Sequence, residues 1–518
     1  MYLEKIHNFA TELDEKTMNT DTLWAIALVL SALTSLMVVH WAFFKILKIA
    51  KDKNLVDNPD ARKLQKTPVP VMGGIAVFIG VVAGVLFGSA WCTAFTLGST
   101  AALLPVILGM VVMLYIGAMD DIISLSPKSR FVIEITTLLG IIFASGLCVN
   151  DLHGLWGVHE YNRWLAIAFT VFGGVGIINA INMIDGVNGL SSGLCITYCV
   201  LFGTVFMLVG DTINAMLAFV VAAAIIPFFF HNVFGNHSRM FIGDAGTMMM
   251  GVLFTWFVIA TYSNGCSVWD VAFGNEVNLV AMALAILSVP VFDTLRVMGM
   301  RLLDGKSPFH PDRTHLHHVF VRMSISHSVT AFSEIAIDLI IVFVWVMAVL
   351  SGLSVDMQLY LVIVASVAFV WGTYFLLHWH EVHHTEFMHT MAYFGIKTHF
   401  GDKRWWQRLE QWLDGPEAMD DENEKEETTE IPSGVTPEQF YGFATADPAD
   451  QKAHDRQLVY GFLRNKAEVF VDDLKRHSGA NPLRVDTIVS EGIIDGFIIV
   501  VKEGVWGAPM IITFKETK

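Results

Sequence analysis

The sequence contains few charged residues for its length. Only 16% of its 518 residues are Asp, Glu, Lys or Arg, whereas an average soluble domain contains about 25%. Hydrophobic residues make up 54% of the chain, so there is too little polar surface to cover a soluble globule of this size. The composition also excludes collagen, a coiled coil and bulk disorder. We therefore predict a polytopic membrane protein, with apolar runs of about 20 residues.

Cysteine motifs and a leader pattern are also missing. The five cysteines contain no CxxC pair and no zinc-ligand spacing. Cys195 and Cys199 lie one helical turn apart in an apolar run, which is typical of packing residues. Residues 1–22 lack a basic region that leads into a short apolar core, so we do not expect a signal peptide.

Long apolar runs, in contrast, are abundant. Because backbone groups in lipid must form hydrogen bonds within their own segment, we expect these runs to be helices. The predicted fold class is an all-α polytopic membrane protein with about 11 transmembrane helices. The predicted spans are residues 23–49, 71–89, 102–118, 131–149, 164–183, 190–209, 213–230, 246–262, 277–298, 331–351 and 357–378.

The distribution of Lys and Arg predicts the orientation of these helices. The loops after segments 1, 3, 7 and 9 carry twelve basic residues, whereas the loops after segments 2, 4, 6, 8 and 10 carry only Arg163. Since basic loops stay in the cytoplasm, the N-terminus is predicted to lie outside. An odd number of spans then places the C-terminus in the cytoplasm.

Changes in composition divide the chain into five parts. We predict an extracytoplasmic N-terminal segment, a transmembrane core, an interfacial amphipathic segment rich in Trp and basic residues, an acidic linker, and a small soluble α+β domain of unknown role. The linker holds nine acidic residues and one Lys, about half of the net charge of −16, so the acidity does not indicate a nucleic-acid partner. The boundaries are 1–22, 23–380, 381–413, 414–433 and 434–518.

Polar side chains interrupt the apolar pattern at the predicted cytoplasmic edge of the membrane. Asp120 and Asp121 end segment 3, where the helix macrodipole disfavours negative charge, so this pair needs a compensating cation. A polar stripe ends segment 5 and must face protein or a water-filled cavity. It consists of Asn179, Asn182 and Asp185, with Asn188 just beyond it.

Further ionisable groups occur at the same edge. Asp244 precedes segment 8 between glycines that allow close approach of a ligand, although it could equally be a helix cap. Asp293 lies inside segment 9. Such groups are costly near a membrane and are usually functional. In the following loop, which we expect to lie outside the packed helices, Arg313 is accompanied by His315, His317 and His318.

This set of residues favours phosphoryl transfer. Hard carboxylates with few soft ligands favour Mg²⁺ or Mn²⁺ over zinc. Mg²⁺ that is held by few carboxylates usually also binds substrate phosphates. Phosphoryl transfer needs little beyond alignment and charge stabilisation. A site at the lipid boundary suggests that one of the phosphates belongs to a lipid.

Four sequence blocks resemble the polyprenyl-phosphate N-acetylhexosamine-1-phosphate transferases, and most of all their bacterial undecaprenyl-phosphate N-acetylglucosamine branch. The blocks are 57–74, 117–121, 179–190 and 290–318, and Asp244 matches a fifth position. The last block, which ends in the three histidines, is the most specific. It also separates this branch from the peptidoglycan-precursor branch, whose histidine motif is built differently.

The resemblance implies a reaction and its setting. N-acetylhexosamine 1-phosphate, foremost N-acetylglucosamine 1-phosphate, would pass from its UDP-sugar to undecaprenyl phosphate with release of UMP, as the first membrane step of cell-surface glycan synthesis. The setting would be the bacterial inner membrane, with the active site facing the cytoplasm. The cofactor would be Mg²⁺, with Mn²⁺ as the alternative, and a homodimer is one candidate assembly. The alternatives are a phospho-N-acetylmuramoyl-pentapeptide transferase and, from another class, a secondary transporter, for which midplane carboxylates and internal repeats are typical.

The resemblance also implies roles for individual residues. Gln65 and Asn188 stand where relatives usually have His and Asp. Asp244 would hold the metal. The implied catalytic residues are Asp120, Asp121, Asp244, His315, His317 and His318. The implied substrate-binding residues are Lys66, Asn179, Asn182, Asp185, Asn188, Arg301 and Arg313.

Overall fold

The computed structural model describes most of the predicted transmembrane core. The described residues are 20–57, 68–94, 99–262, 266–309, 313–323, 325–383, 387 and 403–414, with a few short pieces beyond residue 458. Lys66 and Gln65 lie outside the described residues, as do most of the predicted N-terminal segment and the predicted acidic linker after Asp414.

Helices dominate the described chain. A short antiparallel pair, β1 (Val56–Asp57) with β2 (Val69–Pro70), precedes the second helix. A π-helical turn, Val367–Trp371, joins α14 to α15. The helices are α1 Thr20–Asp52, α2 Gly73–Ala94, α3 Leu104–Ile123, α4 Pro127–Ser145, α5 Arg163–Met183, α6 Leu190–Leu208, α7 Thr212–Phe234, α8 Gly243–Thr261, α9 Cys266–Phe273, α10 Leu279–Ile286, α11 Ser288–Leu303, α12 Leu316–Arg322, α13 His327–Leu350, α14 Val355–Ser366, α15 Gly372–Val382 and α16 Arg404–Asp414.

Many of these helices can cross a membrane. Within the described residues, nine spans are long and apolar enough, and a tenth results if α10 and α11 count as one bent span. The remaining predicted span, 131–149, overlaps α4, which carries Lys128, Arg130 and Glu134 and is not among them. The chain is therefore a multi-pass helical membrane protein, and the total of eleven spans stays a prediction.

The predicted span 277–298 is two helices rather than one. α10 and α11 meet at 82° around Leu287. On the facing helix α13, the Asp338 carboxylate accepts hydrogen bonds from the Ser288 hydroxyl at 2.8 Å and from the Val289 amide at 3.3 Å. These bonds satisfy the start of α11 inside the protein, where a broken helix would otherwise leave amides unpaired.

Glycines bring α2 and α3 close to the start of α8. A Cβ atom on Gly74 would lie 2.4 Å from the Gly246 amide nitrogen, and one on Gly117 would lie 2.4 Å from the Asp244 carbonyl oxygen. No side chain tolerates such contacts, so this approach requires glycine. The first turn of α8 is thereby held against the end of α3, which carries Asp120.

The helix α16 lies in the segment predicted to be amphipathic, and it has two distinct faces. Leu413 is buried, and the Trp406 ring packs on Phe234 of α7 with centroids 4.5 Å apart. Trp405 and Trp412 are exposed on the other face. The inner face thus docks α16 onto α7, whereas its position at a membrane interface stays a prediction.

The chain divides into two compact units, Met1–Ala418 and Met419–Lys518. In the second unit, β3 (Val469–Phe470) and β4 (Ile498–Lys502) both pair antiparallel with β5 (Ile511–Phe514). β4 and β5 lie within the two β-branched runs of the sequence, residues 496–502 and 510–514, that predict the β part of this domain. The stretch 449–477, predicted to be helical, lies mostly outside the described residues, but β3 falls inside it, so the helical prediction is wrong at residues 469–470.

Removal of the second unit tests this division. Ending the chain after Ala418 should leave the turnover of the reaction implied by the resemblance nearly unchanged in detergent, since every predicted site residue precedes residue 320. Formation of labelled lipid from a labelled UDP-sugar measures this. A truncated protein that elutes as a single folded species but has lost its turnover would contradict the division.

Candidate active site

The two acidic blocks of the sequence meet where α3 ends and α8 begins. The Asp121 carboxylate accepts hydrogen bonds from the amides of Asp244 at 3.0 Å and Ala245 at 3.3 Å. These amides belong to the first turn of α8, where unpaired N–H groups and the helix dipole favour a negative charge. Asp121 therefore caps α8 from outside and fixes the position of Asp244.

Arg130 of α4 is the cation that the acidic pair requires. Its Nη1 lies 2.6 Å from Asp120 Oδ2 and 3.4 Å from Asp244 Oδ2, and its Nη2 donates to Asn182 Oδ1 at 3.2 Å. From the sequence, Arg130 was treated only as one of the basic residues that set the orientation, so it was not predicted as a site residue. The signal that could have identified it is the Asp120–Asp121 pair, which requires a cation, because Arg130 is one of only two basic residues between segments 3 and 4.

The predicted polar stripe of α5 faces α4 and α8. Asn182 Nδ2 donates to Asp244 Oδ1 at 2.9 Å and to Thr247 Oγ1 at 2.8 Å. Asn179 Nδ2 instead donates to Glu134 Oε2 at 2.7 Å. Asn179 and Asn182 thus face protein, and only Asn182 is bonded to the carboxylate cluster. Asp185, predicted to continue this helical stripe, lies beyond the end of α5 at Met183 and is exposed. Glu134 is a further polar partner that the sequence did not single out.

The loop after α5 connects this cluster to the histidine block. Asp185 is exposed and accepts a hydrogen bond from the Ser191 hydroxyl at 2.5 Å. A Cβ atom on Gly186 would lie 2.6 Å from His317 Nε2, so α12 packs directly on this loop. The Asn188 amide points to His327 Nδ1 at 3.4 Å. The loop that carries Asp185 therefore contacts α12 through His317 and the start of α13 through His327.

The expectation that the histidines lie outside the packed helices is wrong. His315 and His317 are buried. His315 Nδ1 donates to Asp293 Oδ2 at 2.8 Å, and the Leu316 amide, in the first turn of α12, also donates to Asp293. The physical reason is the bend before α11, which turns Asp293 toward the histidine block.

Arg296 completes this second polar group, and its role was not apparent from the sequence. Its Nη2 lies 2.6 Å from Asp293 Oδ1 and donates to the Thr314 carbonyl at 2.6 Å. Its guanidinium also lies over the ring of Tyr374, 3.5 Å from the centroid. Arg296 therefore balances the buried Asp293 charge and ties the residue before His315 to α11.

His317 and His318 are neutral at pH 7. Burial lowers the pKa of His317 well below its ordinary value, and burial together with the nearby His315 lowers the pKa of His318 to about 4. The buried Nδ1 atoms of both have no hydrogen-bond partner among the described residues. Two neutral imidazoles with unpaired ring nitrogens can form hydrogen bonds with a phosphate or a nucleotide.

The other predicted substrate-binding residues differ in position. Arg301 is buried, and its Nη1 donates to the Pro308 carbonyl at 2.6 Å, which holds the loop after α11. Arg313 lies close enough to His318 for its charge to disfavour protonation of that imidazole. Lys66 lies outside the described residues.

The oxygen donors around Asp244 fit a hard divalent cation. The carboxylates of Asp120 and Asp244 and the amide oxygen of Asn182 all contact the Arg130 guanidinium, and thus surround one position. The described residues contain no group of three or more Asp, Glu, His or Cys that could hold a metal ion. Mg²⁺ does not require one, because it uses one or two carboxylates together with waters and phosphates.

Comparison with known proteins identifies the family of this chain. The model of glycosyl transferase family 4 matches residues 103–262, which contain both acidic blocks and the polar stripe. The undecaprenyl-phosphate alpha-N-acetylglucosaminyl 1-phosphate transferase of Yersinia pestis is 32% identical over 291 residues, 54% of this chain and 73% of the relative. Its counterpart in Escherichia coli K12 is 30% identical over 283 residues, 53% and 71% of the two chains.

A third relative comes from Bacillus subtilis strain 168. This probable undecaprenyl-phosphate N-acetylglucosaminyl 1-phosphate transferase is 28% identical over 303 residues, 58% of this chain and 78% of the relative. Fold and site together define a multi-pass membrane enzyme with a carboxylate cluster at one end of its helices. The chain belongs to glycosyl transferase family 4. Within it, the chain is a glycosyl-1-phosphate transferase.

Replacing Arg130 tests the charge balance of the cluster. Arg130→Gln should lower turnover by roughly 10²-fold, as is typical when one electrostatic group of an active site is removed. Arg130→Lys should lie between this variant and the wild type, because an ammonium cannot reproduce the forked contacts. The matched control is Lys128→Gln, an exposed residue in the same first turn of α4. Equal turnover in Arg130→Gln and Lys128→Gln would refute the role.

Removing either imidazole tests the histidine block. His317→Ala and His318→Ala should each lose most of their turnover, since each deletes a buried ring nitrogen that has no partner among the described residues, and His317 also packs on Gly186. His159→Ala is the control, because His159 is exposed and lies just before the start of α5, whereas Asn182 lies at the end of that helix. Specific activity per folded protein is the measurement. Poorly folded variants with normal specific activity would indicate that these histidines serve packing alone.

Proposed function

We propose that the protein transfers N-acetylhexosamine 1-phosphate, foremost N-acetylglucosamine 1-phosphate, from its UDP-sugar to undecaprenyl phosphate and releases UMP. The names of the relatives specify undecaprenyl phosphate and the N-acetylglucosaminyl 1-phosphate group. The observation that carries the proposal is the junction of two groups. Asp120, Arg130, Asn182 and Asp244 form the first, and it adjoins the neutral histidines of α12 through the Asp185–Gly186 loop.

The reaction joins two anions. An oxygen of the lipid phosphate attacks the sugar-bearing phosphorus of the donor, a new P–O bond forms, and the bond to UMP breaks with its electrons passing to UMP. Mg²⁺, held by Asp244 with Asp120, would offset the charge of the donor diphosphate when bound. Phosphate has a second pKa near 6, so the acceptor is largely dianionic at pH 7. Positioning by the protein therefore matters more than proton removal.

Each group of the site has a task in this reaction. Asp120 at the end of α3 and Arg130 in the first turn of α4 would orient the lipid phosphate. Arg130 contacts both carboxylates. Once a bound cation takes the place of Arg130 beside them, the guanidinium can pair with an incoming phosphate instead. Asn182 and Asp185 would hold the nucleotide sugar. His317 and His318 would donate hydrogen bonds to its phosphates from a neutral state that leaves the nitrogens free.

The proposed location is the bacterial inner membrane, with the site facing the cytoplasm. The cluster lies at the end of the bundle where α3, α5 and α7 end; Arg130 lies there in the first turn of α4, and Arg239 lies in the α7–α8 loop. Basic loops are retained on the cytoplasmic side. The UDP-sugar donor is a cytoplasmic type of substrate, so this orientation agrees with the proposed reaction. A transporter is disfavoured, because its carboxylates would lie near the midplane.

One assay tests the reaction. The purified protein is incubated in detergent with undecaprenyl phosphate, Mg²⁺ and labelled UDP-N-acetylglucosamine, UDP-N-acetylgalactosamine or UDP-N-acetylmuramoyl-pentapeptide. Labelled lipid and an equal amount of UMP are expected with an N-acetylhexosamine donor. Product only with the pentapeptide donor would favour the peptidoglycan-precursor branch. No labelled lipid with any donor would overturn the proposal.

The metal assignment has its own variant. Asp244→Asn preserves size and removes the charge that would bind Mg²⁺, so turnover should fall by at least roughly 10²-fold and the response to added Mg²⁺ should flatten. Asp52→Asn, an exposed residue at the end of α1, is the control. Turnover and Mg²⁺ titrations are compared. A wild-type rate and Mg²⁺ response in Asp244→Asn would remove Asp244 from the metal site.

A further inference from the structure

The loop between α7 and α8 is held by an acidic residue from far along the chain. Asp414, the last residue of α16, accepts hydrogen bonds from three consecutive backbone amides. These are Asn236 at 3.2 Å, His237 at 3.0 Å and Ser238 at 2.9 Å, and the Ser238 hydroxyl donates at 2.5 Å as well. One carboxylate thereby satisfies four donors just beyond the end of α7.

This placement of Asp414 contradicts the preference of its own helix. A carboxylate at a helix C-terminus is disfavoured by the macrodipole. Although burial raises the pKa of Asp414, the bonds from the Ser238 hydroxyl and the three amides outweigh it and hold the pKa below its usual value. The contact with the α7–α8 loop, rather than the stability of α16, therefore accounts for an Asp at this position.

Additional contacts tie the same loop to its surroundings. The Ser238 hydroxyl also lies 3.0 Å from His231 Nδ1. Lys51 Nζ, at the end of α1, donates to the His237 carbonyl at 3.0 Å. With the packing of Trp406 on Phe234, these contacts make α16, α1 and α7 a frame around residues 235–238.

The other end of the loop leads directly to the carboxylate cluster. The Phe241 amide donates to the Pro70 carbonyl at 2.7 Å, and the Gly73 and Gly74 amides donate to the carbonyls of Phe241 and Ile242 at 3.0 and 2.9 Å. Gly243 follows with a φ of +72°, and then comes Asp244. Only five residues lie between Ser238 and Asp244, and backbone bonds hold the segment between them.

We propose that Asp414 is a positioning residue for Asp244, acting through residues 235–243. The inference rests on the proposed function, in which Asp244 holds the metal. Asp414 is far from the acidic and histidine blocks in sequence, and it touches none of the reacting groups. It fixes one end of the loop, while Asp121 and the glycines of α2 fix the other. The Asp244 carboxylate is thereby preset for a cation and for the bond from Asn182.

The test measures Mg²⁺ binding as well as turnover in the full-length protein. Loss of a positioning partner of a metal ligand commonly costs about 10- to 100-fold in metal affinity or activity. We expect Asp414→Ala to raise the Mg²⁺ concentration that gives half of the maximal thermal shift, without substrate, by about tenfold. The concentration for half-maximal turnover should rise in parallel. Asp414→Asn, which keeps one acceptor oxygen, should recover part of the loss.

A second variant checks the route. Ser238→Ala removes one of the four donors to Asp414 and should shift the Mg²⁺ response in the same direction by less. The Mg²⁺ response of the double variant should equal that of Asp414→Ala. A larger shift would contradict the route through Asp414 and assign the effect of Ser238 to its contact with His231. Asp420→Ala, an acidic residue a few positions further along the chain, is the matched control and should behave like the wild type.

The outcomes separate this inference from the proposed function. If Asp414→Ala binds Mg²⁺ and turns over like the wild type, Asp414 has no positioning role. If it lowers only the yield or melting temperature of the protein, with an unchanged Mg²⁺ response in the folded fraction, Asp414 serves stability alone and the inference fails. If the wild type forms no labelled lipid while the Mg²⁺ thermal shift depends on Asp414, the positioning role stands and the proposed reaction fails.

Discussion

The structure depends on the neutralisation of carboxylates gathered at the end of the helix bundle. Asp120 and Asp244 come from α3 and α8 and share one cation, Arg130 of α4. Without that cation, like charges in a partly desolvated place would repel each other and disfavour ionisation. Arg130 thus lets the two carboxylates pack close together despite their like charge. Its guanidinium is also a positive group to which an incoming phosphate can be attracted. Stability and the proposed chemistry thus rest on the same contacts.

Close backbone approach makes this gathering of charge feasible. Gly117 and Gly74 let α3 and α2 lie directly against the first turn of α8, so Asp121 can accept its amides. A second polar group is organised on the same principle, since Asp293 accepts the amide of Leu316 and pairs with Arg296. In both groups a carboxylate from one helix satisfies the start of another. The site is therefore an assembly of helix ends held by charge.

Much of the fold and part of the site follow from the sequence. Apolar length predicts where helices lie, because hydrocarbon demands internal backbone bonding. Polar and ionisable side chains carry a free-energy cost near lipid, and this cost singled out the acidic pair, Asn182, Asp244 and the histidines. Arg130 was not, because a basic side chain in a polar loop costs nothing by itself and its partners lie elsewhere in sequence. The break at Leu287 was not predicted either, because hydropathy shows that a segment is apolar but not whether its helix axis bends. The hydrogen bonds that stabilise the break are accepted by Asp338, which lies on another helix.

By itself, the sequence determined the class of protein, the approximate position of its helices and the residue types of a phosphoryl-transfer site. Those properties are local, because apolar runs and costly polar groups are visible within a few residues of each other. The tertiary structure alone decided which polar groups pair. It placed Asp121 on the amides of α8, buried His315 and His317 against Asp293 and Gly186, and brought Asp414 to the α7–α8 loop. These contacts join residues that are distant in the chain, so only the packing of helices specifies them.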